Sequence, residues 1–372
     1  MNTPPLTIQK ARETMTARER VMRTLAFEPA DRVPIDYAAN PTIHGRLMNA
    51  MGAENNEALL HMLGVDFRSL GVRYTGPTLF QDIPGRQVDP QYGVVSRWVE
   101  NIYGGYQDFC DYPLQDAEEG QMDAWPMPNP DHYDYEEAVA QARQYRDMAL
   151  CVGGAGYPDV INSLGRVMSM ETCLINLQMR DEETLRFIRR KTDFELGIVS
   201  RLIDALHKAG EKPLLMILGE DLGTQHTPMI SLELFRAVIR PAMQRFIDLA
   251  KSHDLAVMVH SCGSSSWAYE DYIDMGVRVV DTLQPEATNM SPEYLAANFG
   301  GRLGFHGCIS TAAIANLTAA GVEKHCADTL RIMMPTGGYF FAPTHMIQDN
   351  TPVENIIMMY QTAHRAGVYG RG

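Results

Sequence analysis

The sequence predicts an α/β protein folded as a single (β/α)8 barrel. Three observations predict it. Short apolar runs of strand type recur near residues 34, 68, 150, 215, 257, 280, 304 and 340. Helical patterns fall between them, which implies parallel pairing through right-handed crossovers, and eight such units close a barrel. The first run is followed by Asp36-Tyr-Ala-Ala-Asn40, with no phosphate-binding glycine turn. That counts against the alternative, a doubly wound dinucleotide-binding sheet. A chain of 372 residues fits one such domain, spanning 1–372.

Taken in order, residues 1–15 read as a flexible arm. Thr16-Ala-Arg-Glu19 has the pattern of a capping box and starts the first helix. Val33-Pro-Ile-Asp36-Tyr37 reads as the first strand, followed by helices over 41–51 and 57–63. Residues 75–126 are rich in Gly, Pro, Asp and aromatics, with alternating pieces such as Gly93-Val-Val-Ser-Arg-Trp-Val99. They predict an insertion of β-hairpins and loop. Tyr103, Tyr106 and Phe109 within it either cover a pocket or form a small satellite core. A strand over 148–152 ends in Gly153-Gly-Ala-Gly156, glycines that let backbone turn sharply or approach a ligand. One helix is expected over 159–179, and Asp181, Ser231 and Ser291 are expected N-caps. Thr351-Pro-Val-Glu354 has the residues of a complete helix start, through about Ala366.

The net charge of −14 repels phosphate backbones and anionic lipid, so neither nucleic acid nor membrane is an expected partner. Six cysteines without a CxxC pair do not form a disulfide framework. No apolar run approaches the length of a membrane span, and no signal-peptide pattern opens the chain. The expected setting is cytoplasmic and reducing.

In a barrel, residues just past the strands share one rim. Here that rim collects Asp36, Asn40, Tyr74, Glu220, Asp221, Gln225, His260, Cys262, Gln284, His306 and His345. His260 and Cys262 stand at i and i+2, so on an extended segment they point the same way and can reach one ion. Imidazole with thiolate suits zinc. His345, Glu220, Asp221 or Cys308 would complete the ligand set. Glu220 and Asp221 are alternatively a general acid/base pair. Catalytic roles are expected of Glu220, Asp221, Gln225 and Gln284, and substrate contacts of Asp36, Asn40, Tyr74 and His306.

Several motifs resemble the uroporphyrinogen decarboxylase superfamily. They are Arg18-Glu-Arg-Val21, Asp31-Arg-Val-Pro34, Gly219-Glu-Asp-Leu-Gly-Thr-Gln225, His260-Ser-Cys-Gly263, Phe305-His-Gly307, Phe341-Ala-Pro-Thr-His345 and Pro352-Val-Glu-Asn355. The resemblance implies a TIM barrel, agreeing with the strand count. True decarboxylases of the superfamily carry an arginine-rich segment after the first strand, which Asp36-Tyr-Ala-Ala-Asn40 replaces here. The chain looks closer to the zinc- and corrinoid-dependent methyltransferase and O-demethylase branch. That branch takes its zinc ligands from a His-x-Cys motif, matched by His260 and Cys262, and from a later cysteine. Near that later position this chain has Thr344-His345. The resemblance therefore implies a methyltransferase, zinc-dependent, with a corrinoid (cobalamin) protein as partner and a methoxylated, aromatic small molecule as methyl donor. It also suggests a homodimer. A uroporphyrinogen-type decarboxylase and a non-catalytic tetrapyrrole- or corrinoid-binding barrel are the alternative readings.

Overall fold

The computed structural model describes residues 5–370. Seven parallel strands form one curled sheet: β1 (Phe67–Ser69), β2 (Ala149–Pro158), β3 (Leu215–Gly219), β4 (Ala256–Ser261), β5 (Val279–Thr282), β6 (Gly304–Ile309) and β7 (Tyr339–Pro343). They pair in chain order, as crossover connections dictate. The expected eighth strand, near residue 34, makes only an isolated parallel bridge, Ile35 to Phe341. Its backbone nevertheless reaches both edges of the sheet. Phe341 donates to Pro34 O and Asp36 donates to Phe341 O, while Asp66 N–H donates to Ile35 O, each within 2.8–2.9 Å. Pro34 has no N–H to give, which shortens the ladder.

Strand periodicity sorts the two faces. Leu150, Val152, Met216, Leu218, Val257, Val259, Val280 and Phe305 face the helices and build the large outer core. Phe67, Ala149, Cys151, Leu215, Met258, Val279 and Phe340 form a smaller inner cluster with Val21 of the first helix. Two residues further along their strands, Met258 is followed by His260 and Val279 by Asp281. With side chains alternating at period two, an apolar floor is thus succeeded by a polar layer.

Several expectations change in detail. The helix expected over 159–179 is two, Val160–Met168 and Met170–Met179, broken at Ser169, whose φ is +70°. The glycines of 153–156 do not follow β2 but lie within it, at an irregularity where its register to β3 shifts. The helix after Ser231 passes through a π-helical turn, Phe235–Ile239, just before Pro241, whose missing N–H cannot hold the regular ladder. Thr351 does not cap the last helix: Pro352 is the extended residue at its start, and the helix begins at Val353. The capping box at Thr16 forms, as do the side-chain caps at Asp181, Ser231 and Ser291. Within 75–126, Gln87–Val88, Val95–Asn101 and Gly104–Phe109 make a three-stranded antiparallel sheet.

Of the expected arm, residues 1–4 lie outside the described residues. Residues 5–15 run along the surface and are tied down: Leu6 N–H to Ala50 O, Gln9 with Gln361, and Thr14 and Met15 N–H to Asp31. Among the described residues, no helix is long and apolar enough to cross a membrane.

The closed end of the sheet is held by charge. Arg20, Arg32 and Asp66 are each 1% exposed. Asp66 takes hydrogen bonds from both guanidinium groups, and its Oδ2 also accepts from Ile35 N–H at 2.7 Å. Removing one partner from such a buried pair leaves the others uncompensated. Asp66→Asn is expected to cost about 3–5 kcal/mol of stability and to raise amide exchange over residues 33–37. Chemical denaturation and hydrogen exchange check both.

Candidate functional site

Two tight backbone contacts shape the site. A Cβ at Gly263 (φ +69°) would lie 2.2 Å from Gly223 O, and one at Gly223 2.4 Å from Ser264 N. Only glycine at both positions lets the loop after β3 press against the loop after β4. Side chains then lock the pair. Asp221 Oδ1 accepts the Cys262 N–H at 2.7 Å, Gln284 Oε1 accepts the Gly263 N–H at 2.7 Å, and Ser261 Oγ accepts the Leu222 N–H at 3.2 Å. The thiol of Cys262 is thereby fixed beside His260.

His260, Asp281 and His306 occupy matching register positions on β4, β5 and β6. Asp281 stands between the imidazoles, 2.7 Å from His260 Nδ1 and 2.6 Å from His306 Nδ1. Thr282 Oγ1 is also 2.7 Å from His260 Nδ1. The far nitrogen of His306 meets Asp36 Oδ2 at 3.2 Å. These contacts turn His260 Nε2 toward Cys262 Sγ, 3.6 Å away. His345, on the loop after β7, completes the cluster: one ligand atom from each of His260, Cys262 and His345 lies within 4.8 Å of the others.

That donor set fits a zinc ion. Bonds of roughly 2.05 Å to nitrogen and 2.3 Å to sulfur at a tetrahedral angle put the two donors about 3.6 Å apart, as His260 Nε2 and Cys262 Sγ are. With three protein donors, a fourth position stays open, as catalytic zinc requires. Asp281 on the opposite ring nitrogen of His260 fixes its orientation, as carboxylates do behind metal-bound histidines.

The cavity over this cluster measures about 410 Å³ and is lined by Asp36, Asp159, Asp221, Asp281, His306 and Arg166, among others. Burial alone would discharge His306, but Asp281 and Asp36 outweigh it and push it up to about 10. Burial likewise opposes charge on His260, yet the hydrogen bonds to Asp281 and Cys262 hold it well above an ordinary histidine. Asp281, partly buried but flanked by both imidazoles, is held below the usual carboxylate range. Burial and the nearby His260 lower His345, favouring the neutral ring a metal needs. Burial pushes the Cys262 thiol up against the pull of His260. Asp159 is raised to about 6, by burial first, with Arg166 opposing and Asp221 adding.

Of the residues predicted for the site, Asp36, Asp221, His260, His306 and His345 line this cavity. Cys262 joins through its thiol, and Gln284 stands behind it, holding the turn. Glu220 belongs elsewhere. It is fully buried, and its carboxylate accepts Val160 N–H at 2.7 Å and Ile161 N–H at 3.0 Å, capping the helix Val160–Met168. Gln225 is exposed on the loop. Asn40 precedes the helix Pro41–Met51, and Tyr74 packs on Tyr133 with its hydroxyl on Pro77 O, both away from the cavity. Cys308 is buried, with burial raising its thiol. Sequence reasoning missed Asp281, Asp159, Asn162 and Arg166. Asp281 had a signal: a carboxylate inside Val279-Val-Asp-Thr282, one strand period from an apolar inner residue.

Because His306 is raised above its unfolded value of about 6.5, its stabilisation is complete below that pH and is lost as pH climbs toward about 10. Unfolding of the metal-free chain should therefore become easier across that interval, by roughly 1 kcal/mol per pH unit for one retained proton. In His306→Asn this portion of the slope should vanish. Urea denaturation at several pH values reads it directly, and equal slopes in the two proteins would contradict the charged His306.

Residues 192–366 match the family model "Uroporphyrinogen decarboxylase (URO-D)". No curated protein sequence matches the chain. Among solved structures, a methyltransferase from Methanosarcina mazei superposes with a TM-score of 0.60 at 17% identity, covering 94% of this chain and 99% of that one. At that identity the likeness is one of fold. Residues 192–366 thus resemble the uroporphyrinogen decarboxylase family, and the chain shares the overall fold of that methyltransferase.

Proposed function

We propose that the chain is a zinc-dependent methyltransferase of O-demethylase type. It would take a methyl group from a methoxylated, aromatic small molecule and pass it to the Co(I) corrinoid of a partner protein. In this reading residues 33–37 serve as the eighth strand of the barrel. The observation that carries it is the convergence of His260 and Cys262, at the exit of β4, with His345, just past β7. The Methanosarcina mazei neighbour, a methyltransferase, supports the same direction.

His260 Nε2, Cys262 Sγ and His345 would hold the ion. Bound there, zinc supplies a Lewis acid beside the ether oxygen as negative charge develops on it. The chain's own groups do the rest. Asp281 keeps His260 oriented, and Asp221 and Gln284 keep the Cys262 turn in place. Asp159, in the cavity and raised to about 6, is the group best able to give a proton to the departing oxygen. Asp36, Asp159, Asp221 and Asp281 face the cavity against Arg166. Arg166 is the one arginine in that lining among the described residues, so a polycarboxylate finds few guanidinium partners there, which disfavours uroporphyrinogen.

Purified protein is expected to carry about one zinc per chain, falling steeply in Cys262→Ala and His345→Ala. Methyl transfer from methoxylated aromatics to a Co(I) corrinoid protein should be lost in both, and Glu220→Gln should act on stability instead. Zinc content measured by elemental analysis and unchanged by Cys262→Ala would overturn the ligand assignment. Zinc bound as expected without any transfer from a broad ether panel would overturn the activity.

A further inference from the structure

A second cavity, of about 590 Å³, shares Gly156 and Arg166 with the first. Its volume lies in the range of small-molecule sites. The three-stranded antiparallel sheet walls it on one side and the glycine-rich part of β2 on another. Tyr92, Trp125 and Tyr157 give it aromatic sides.

Two elements place Arg166 at this cavity. It stands in the last turn of the helix Val160–Met168. That end of the helix is tied to the insertion, because Val167 O accepts the Leu114 N–H at 2.7 Å. Phe109 ends the strand Gly104–Phe109 that leads toward Leu114, and its ring comes to lie under the guanidinium, 5.2 Å from ring centre to the central carbon. Stacking on a ring holds the guanidinium plane and leaves its edge of N–H groups free.

The other charged groups of this wall are engaged within the chain. Lys191 Nζ donates to Pro158 O at 2.7 Å and to Glu195 Oε1. Asp89 Oδ1 accepts the N–H groups of Gln91 and Tyr92 at 2.9 and 2.6 Å. Arg166 differs. Its nearest carboxylate oxygen, Asp159 Oδ2, is 3.9 Å away, beyond hydrogen-bond reach. Its side chain is 40% exposed. Among the described residues it is therefore the cation of this cavity whose donors are unspent.

We propose that the larger cavity binds a flat aromatic monocarboxylate. The carboxylate takes the free N–H edge of Arg166, and the ring lies among Tyr92, Trp125 and Tyr157. A carboxylate matches the edge of a guanidinium with two parallel hydrogen bonds. Aromatic walls suit a flat ring. One unspent cation selects one anionic group, since a second carboxylate would lose its water without gaining a partner. The site needs no metal and no methyl donor, so it stands apart from the methyltransferase reading, and its ligand has no need to reach the His260 cluster.

Titration calorimetry of metal-free protein with 2-naphthoate and with the uncharged 2-naphthamide of similar shape tests this without turnover. The acid should bind about tenfold more tightly or better, the value of a charge-assisted hydrogen bond. Arg166→Met should bring the two affinities together. Arg166→Lys keeps the charge but loses the fork and the stacked plane, and should remove most of the preference. Gly154 lines the larger cavity and not the smaller, and a Cβ there meets nothing within 4 Å. Gly154→Leu should fill the space and weaken naphthoate at least several-fold, with circular dichroism confirming the fold. Cys262→Ala should leave both affinities unchanged, so failure of the metal reading and failure of this one separate. Equal affinity for acid and amide, an acid preference that survives in Arg166→Met, or naphthoate binding that ignores Gly154→Leu would overturn the proposal.

Discussion

Asp281 is the constraint on which the site depends. It sits on the central of three strands whose register is fixed by parallel ladders, and it binds an imidazole on each side. A carboxylate largely withdrawn from water is tolerated when it is paired and hydrogen-bonded. The two histidines supply both, and Asp36 closes the row beyond His306. The arrangement keeps His306 charged, so it reads as an electrostatic keystone and not as a second metal ligand. On the other side it leaves His260 with one nitrogen occupied and the other turned toward Cys262.

The loops obey a second constraint, of space. Gly223 and Gly263 allow two strand exits to touch backbone to backbone, where any side chain would collide. The Gly-Glu-Asp-Leu-Gly and His-Ser-Cys-Gly motifs are thus one device. The glycines permit the approach, Asp221 takes the Cys262 N–H, and Glu220 reaches back to the helix Val160–Met168. Adjacent carboxylates point to opposite sides of the chain and have opposite fates: one faces the cavity and the other is buried as a cap.

Much of this was legible in the sequence, for identifiable reasons. Apolar runs with turn residues between them mark seven strands of the sheet, because parallel strands covered by helices are apolar on nearly every residue. The run near residue 34 was the hardest to place, since Pro34 breaks the ladder that would make it a regular strand. His260 and Cys262 were legible from their i, i+2 spacing, and His345 from its position past the last strand. Glu220 was not, because its partners Val160 and Ile161 are some 60 residues away and no local pattern reports a long-range cap. Asp281 was not, because it lies inside the apolar run Val279-Val-Asp-Thr282 and not at the strand exit, where Gln284 stands. Counting back by strand period from the apolar floor would have found it.

In the proposed site three side chains from two strand exits, those of β4 and β7, share one zinc ion. X-ray absorption at the zinc edge of the purified protein tests it most directly. The account predicts a first shell with one sulfur at roughly 2.3 Å and two nitrogens at roughly 2.0–2.1 Å, completed by a light atom from water or substrate. In Cys262→Ser the sulfur contribution should disappear. A shell of oxygen and nitrogen alone in the unaltered protein, or a sulfur signal that persists in Cys262→Ser, would contradict it.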